Sequence, residues 1–180
     1  MLQVGCKHGP GGASDPGLTP EETRTHFGAW AIVSSPLTLS HDVLNDTISD
    51  AIWPVISNTE VLAVNQAYEG DSGGVYESSS TQVELTDAFI EATDSEPRVL
   101  SPSYQYLAKP IGNGNVAVLL MNSESSFQVL EADFAKIPGV SCSSCNVRDI
   151  WLHKDLGRFD GKWTGSVASH DAAFLVISEK

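Results

Sequence analysis

The sequence predicts two regimes in one chain, an α/β first part and an all-β second part, changing near residue 70. Three observations predict it. Residues 1 to 66 alternate strand, helix, strand, helix, the pattern of a parallel α/β sheet or barrel. Residues 70 to 82 are dominated by Gly, Ser and Thr, so the alternation stops there. Beyond them come five short apolar runs separated by turn signals, as in an antiparallel β-domain, a sandwich or small barrel.

The chain opens on the strand end Met1-Leu-Gln-Val4 and passes into a loop rich in Gly and Pro up to Gly17. A domain rarely begins abruptly with a hydrophobic strand end, so a preceding segment is expected. The clearest helix follows. Thr19 is a cap residue, Pro20 occupies the first helical position and Glu22 completes a capping box. Phe27, Trp30 and Ala31 fall on one apolar face, which assigns Trp30 to the core, and the helix should end near Ser34-Ser35-Pro36. Pro36 to Ser40 reads as a short buried strand. A second helical stretch, Leu44 to Gln66, is expected to be interrupted at Pro54. Two strand–helix units fall short of the eight a closed barrel needs, so the rest lies elsewhere or is supplied in trans.

In the second half, Tyr104–Ala108, Val116–Met121, Phe127–Leu130, Val147–Leu152 and Ala173–Ile177 read as strands. Asn113-Gly114 between the first two is a strong hairpin signal. The acidic stretch Val75 to Ser101 is hard to place and has room for extra strands or a surface insertion.

Lys and Arg number 10 against 23 Asp and Glu, a formal charge of −13. Such a surface repels phosphate backbones and anionic lipids, which argues against nucleic acid and membrane partners. No apolar run is long enough to span a bilayer. Cys142-Ser-Ser-Cys145 fits a local disulfide, a redox pair or half of a zinc site. The strand-like residues after it disfavour the redox use, and the absence of a second pair at finger spacing disfavours zinc. Cys6 is left without a partner in the sequence.

Five segments in fixed order carry a resemblance. They are Met1-Leu-Gln-Val-Gly5, Gly17-Leu-Thr-Pro-Glu-Glu22, Thr25-His-Phe-Gly-Ala-Trp-Ala31, Ser35-Pro-Leu37 with Asp42, and Asn58-Thr-Glu-Val-Leu-Ala-Val-Asn-Gln66. Together they resemble the α-galactosidase and α-N-acetylgalactosaminidase family, glycoside hydrolase family 27 of clan D. The resemblance implies a C-terminal fragment. Residues 1–70 would be the last units of a (β/α)8 TIM barrel from the end of strand 7, and residues 71–180 a C-terminal antiparallel β-sandwich. It also implies a retaining hydrolase of terminal α-galactosyl groups, secreted or lysosomal/vacuolar, with an α-galactoside as partner and no cofactor or metal. The oligomeric state is left open. Gly9 to Asp15 lengthens the loop after the seventh strand, which would border the active site, and Cys142 and Cys145 sit where relatives carry a close pair.

Retaining glycosidases need two carboxyl groups about 5–5.5 Å apart. The resemblance puts both on earlier barrel strands, so no catalytic residue is assigned in this chain, and only Met1 matches a position lining the sugar pocket. Asp42 and His41 beside it are the local alternatives, read instead as a helix-capping aspartate and a loop histidine. Ser40-His41-Asp42 in a row is no triad, because triad members converge from separate segments. Trp151 and Trp163 are candidate sugar platforms if exposed together, and Asn45-Asp-Thr47 is an N-glycosylation sequon. Two alternatives remain beside the leading reading. One is a non-catalytic remnant whose β-domain binds carbohydrate or a partner. The other is a relative acting on α-N-acetylgalactosamine or β-L-arabinopyranose.

Overall fold

The computed structural model describes residues 1–6, 17–85 and 99–179. The expected loop Gly9–Asp15 and the middle of the Val75–Ser101 stretch lie outside the described residues.

Helix α1 (Pro20–Ile32) starts as its sequence dictates. The Thr19 hydroxyl accepts from the Glu22 amide at 3.2 Å, and the Glu22 carboxylate accepts from the Thr19 amide at 2.8 Å. Two amide donors that no helical turn could satisfy are thus paired. The helix ends at Val33 and the left-handed Ser34. Its buried face is Thr23, Phe27, Gly28, Ala31 and Ile32. Trp30, expected in the core, is only half buried. The reason is distance. A Cβ on Gly28 would lie 3.0 Å from Leu119 Cδ1 and 3.3 Å from Trp151 Cζ2, so any side chain here would press on these neighbours. The bulky indole is turned to the flank.

Leu2 pairs in parallel with Leu39, and its amide donates to the Thr38 carbonyl at 3.0 Å. The buried strand expected at Pro36–Ser40 is reduced to this one bridge, with Leu39 partly exposed. Among the described residues only one segment pairs with it, and one neighbour cannot hold a longer strand. The stretch expected as one interrupted helix is two, α2 (Asp46–Ile56) and α3 (Thr59–Gln66). The break falls at Ser57-Asn58, not at Pro54, which is carried inside α2. Asn58 makes the break, because its side-chain oxygen caps α3 by accepting from Glu60 N at 3.0 Å and Val61 N at 3.1 Å.

Ten strands follow among the described residues, twice the number expected. They are β1 (Gly74–Ser78), β2 (Gln82–Leu85), β3 (Val99–Pro102), β4 (Tyr104–Gly112), β5 (Asn115–Asn122), β6 (Gln128–Asp133), β7 (Ser144–Asp149), β8 (Lys154–Asp160), β9 (Lys162–Val167) and β10 (Ala172–Ser178). Six form one antiparallel sheet in the order β1-β4-β5-β10-β7-β8, while β6 pairs with β9 and β2 with β3. The β4–β5 hairpin turns on Asn113 and Gly114, both at positive φ, the geometry a two-residue turn needs to follow the strand twist. The expected run Val147–Leu152 ends as a strand at Asp149, whose carboxylate accepts from the Trp151 and Leu152 amides and closes a turn instead. Phe127 lies outside β6 and is exposed.

The central strands of the six-stranded sheet are buried on both faces. Tyr106, Ala108, Val116, Val118, Leu120, Leu175 and Ile177 point to one side, where Leu130, Ala132, Trp163 and Val167 of β6 and β9 cover them. Leu107, Ala117, Leu119, Ala172 and Phe174 alternate to the other side, against Phe27, Ala31, Ile32, Val61 and Val64 of α1 and α3. A period-2 strand sandwiched between layers has apolar residues at every position, which is what Val116–Met121 and Ala172–Ile177 show. One core thus joins residues before and after position 70.

Gly28→Val should therefore lower the stability of the whole chain by about 2–3 kcal/mol, the cost of forcing extra carbons into a filled contact. Denaturant titration followed by helical and by tryptophan signals should move both midpoints together. A variant that loses helix while the sheet melts unchanged would contradict the shared core.

Candidate functional site

The loop ends following the Leu2–Leu39 bridge hold the residues singled out for chemistry. Met1, one residue before the bridge, is 73% exposed. Ser40 Oγ donates to the Leu2 carbonyl, and Cys6 Sγ lies 3.2 Å from the same hydroxyl. Cys6 forms no disulfide. His41 Nδ1 is buried without a partner. Asp42 Oδ1 accepts from the Leu44 amide at 3.1 Å, closing a turn ahead of α2. The cap of α2 itself, expected from Asp42, is Asn45, whose Oδ1 accepts from the Ile48 amide at 3.3 Å. Ser40 and Asp42 are thus committed to local structure in different directions, while the buried His41 Nδ1 finds no partner among the described residues. Among the described residues no cluster of His, Cys, Asp or Glu is arranged to hold a metal ion.

The tryptophans divide across the fold. Trp163 packs inside the sandwich, 7% exposed. Trp151 lies on the opposite face of the sheet, edge-on to Phe174 at 5.7 Å between ring centroids, with its indole nitrogen buried and unpartnered. They share no exposed surface, so a paired sugar platform is not formed. Trp53 is 61% exposed on α2. Trp30 stands beside His26 at 5.8 Å and lines a groove of about 330 Å³ with His170, Met121 and Ser123. His26 Nε2 accepts from the Gln3 amide at 3.1 Å, and burial lowers the pKa of the ring. Cys142 and Cys145 form a disulfide at the entry to β7.

Six side chains, Arg24, Thr25, Asn58, Lys109, Arg148 and His153, tie the helical layer to the sheet and its turns, and none of these ties was foreseen from sequence. Arg24 on α1 holds Asp171 through two bonds of 2.6 and 3.0 Å, and Thr25 Oγ1 donates to the His170 carbonyl at 2.8 Å. Arg148 on β7 forks onto Glu60 of α3 at 2.7 and 2.9 Å and reaches Asp155 at 2.8 Å. His153 adds its Nδ1 to Glu60 at 2.6 Å. Asn58 Nδ2 donates to the Ile150 carbonyl at 2.8 Å. Lys109, fully buried in β4, donates its ammonium to the Val64 and Asn65 carbonyls at the end of α3. Burial pulls the pKa of this ammonium down. The helix end opposes that effect, since carbonyls at a helix C-terminus favour a cation. A lone lysine in an apolar run, as in Leu107-Ala-Lys-Pro-Ile111, was the only sequence signal for any of them.

With this geometry in hand, three similarities decide the family. Residues 101–177 match the alpha galactosidase C-terminal beta sandwich domain. The α-galactosidase of Cyamopsis tetragonoloba is 28% identical across 96% of this chain, which covers 38% of that protein. The crystal structure of α-galactosidase I from Mortierella vinacea superposes with a TM-score of 0.68 at 27% identity, covering 91% of this chain and 37% of that one. The chain belongs to the α-galactosidase family. The fold is also shared by the Saccharomyces cerevisiae α-galactosidase solved with raffinose, at a TM-score of 0.72 and 18% identity over 98% of this chain and 45% of that one. The chain spans a little over a third of the length of the curated α-galactosidases it matches. No described helix is long and apolar enough to cross a membrane.

The ion pair at Glu60 gives this chain a testable acid response. Arg148 first, then His153, pulls the Glu60 carboxyl below its ordinary value of 4.5. A carboxylate depressed on folding contributes stability above its unfolded pKa, and that contribution is lost as pH falls through the folded value. Wild type should therefore lose its advantage over Glu60→Gln as the pH is lowered from 7 to below the ordinary glutamate value, read from denaturant midpoints. A constant gap between the two across this range would exclude the pair as a source of stability.

Proposed function

We propose that this chain is the C-terminal part of a retaining α-galactosidase that cleaves terminal α-galactosyl residues. On this reading residues 1–70 supply the last two strand–helix units of a (β/α)8 barrel, and residues 71–180 the β-sandwich packed against them. The observation that carries it is the parallel Leu2–Leu39 pairing, linked through α1 and followed directly by the α-galactosidase sandwich. A strand, a crossing helix and a parallel strand are one repeat of such a barrel.

The nucleophile and the acid/base carboxyl would then come from segments before Met1. This chain's part in the reaction is positional. Met1, ahead of the last paired residue of its strand and largely exposed, would line the sugar pocket and pack on an apolar face of the ring. Burial of Trp163 inside the sandwich, with Trp151 partly buried on the opposite face of the sheet, argues against a stand-alone carbohydrate-binding module. The residues that would discriminate galactose from N-acetylgalactosamine or arabinopyranose lie largely upstream of this chain. The Cys142–Cys145 disulfide supports a secreted or vacuolar protein, because such bonds persist in oxidising compartments.

The test is hydrolysis of a chromogenic aryl α-galactoside by the product extended in frame upstream of Met1. The extended protein should turn over and the 180-residue chain should not. Met1→Ala in the extended protein should lower kcat/KM roughly 10- to 200-fold, the worth of an apolar contact in a specificity pocket. Activity in the short chain, or none in the extended one, would overturn the proposal.

A further inference from the structure

We propose that Asn45 carries an N-linked glycan. This rests on the reading that the protein passes through an oxidising secretory compartment. Asn45-Asp46-Thr47 is the only Asn-x-Ser/Thr sequence in the chain, and its middle residue is not proline. All three residues are exposed. Helix capping accounts for an asparagine at position 45 but asks nothing of position 47, where the hydroxyl that completes the acceptor stands.

The local geometry lets the cap and the modification coexist. Capping uses Oδ1, which accepts from the Ile48 amide, whereas a glycan is attached through Nδ2. In the transfer an Nδ2–H bond is lost and an Nδ2–C1 bond to the sugar forms. The C1–O bond to a lipid pyrophosphate donor breaks, the pyrophosphate leaves with its electron pair, and the proton passes to base. No redox change occurs, and the side-chain amide keeps the oxygen the helix needs.

Two further observations agree. The closed Cys142–Cys145 disulfide belongs to the same class of compartment in which such glycans are added. Beside Asn45 stand Val43 and Leu44, 64% and 89% exposed among the described residues. A hydrophilic glycan rooted at the next residue would keep these side chains from associating with other apolar surfaces.

The experiment is expression of the full chain behind a secretion signal in yeast, followed by digestion with peptide N-glycosidase F. Wild type should drop in apparent mass by one glycan, and Asn45 should be read as aspartate in the released peptide. Asn45→Asp, which preserves a good cap, and Thr47→Ala, which preserves Asn45 itself, should each abolish the shift. A closed disulfide with no shift would sink the glycan while leaving the secretory reading intact. Free thiols at Cys142 and Cys145 together with no shift would overturn both. A shift that survives in Asn45→Asp would also refute the assignment.

Discussion

Strands β5 and β10 have no wet face, and the rest of the molecule is arranged to supply the two layers that this requires. An antiparallel sheet normally keeps one side for water and alternates polar with apolar residues. Here Val116–Met121 and Ala172–Ile177 are apolar at every position, and leaving either side open would expose a broad hydrophobic surface. The β6–β9 pair closes one side. On the other, α1 and α3 press Phe27, Ala31, Val61 and Val64 onto Leu107, Leu119 and Phe174. The glycine at position 28 is what allows so close an approach.

Apolar layers slide unless something sets their register, and the polar ties do that. Arg24 with Asp171 and Arg148 with Glu60 are two-pronged guanidinium–carboxylate pairs, which fix orientation as well as distance. Pairs at this degree of burial add modestly to stability, because desolvation consumes much of their attraction. Their main effect is to make one docking of the helices better than its neighbours. Lys109 is the extreme case, a buried cation whose partners are the last carbonyls of α3. Any rotation of that helix would strand the charge.

Much of this was legible in the sequence, and the failures have physical reasons. The capping box at Thr19 and the hairpin at Asn113-Gly114 are written in adjacent residues, so spacing alone reveals them, whereas the spacing of Cys142 and Cys145 admitted a redox or zinc use beside the bridge they form. Strand β8, Lys154 to Asp160, was missed because an edge strand with a largely solvated face carries charge and glycine rather than an apolar run. The helix break at Asn58 was assigned to Pro54 because proline is the louder local signal. Asn58 makes the break by capping α3 with its Oδ1, and its Nδ2 is held by a carbonyl of Ile150 that no local reading can see. The charged ties were invisible for the same reason, their partners lying 88 and 147 positions apart. At the candidate site, Met1 was identified through the family resemblance, not through any property of the residue itself.

The position of β10 shapes how the chain can be made. It is the last of the described strands in chain order, yet it lies in the middle of the six-stranded sheet, between β5 and β7. The carboxylate that anchors Arg24 immediately precedes it. On the ribosome, α1 therefore emerges long before the surface it rests on exists, and the hairpin of β4 and β5 waits with one edge open. Neither layer can close until β10, Ala172–Ser178, has left the exit tunnel. Such late closure leaves apolar faces unprotected throughout synthesis, the interval in which a nascent chain depends most on chaperones.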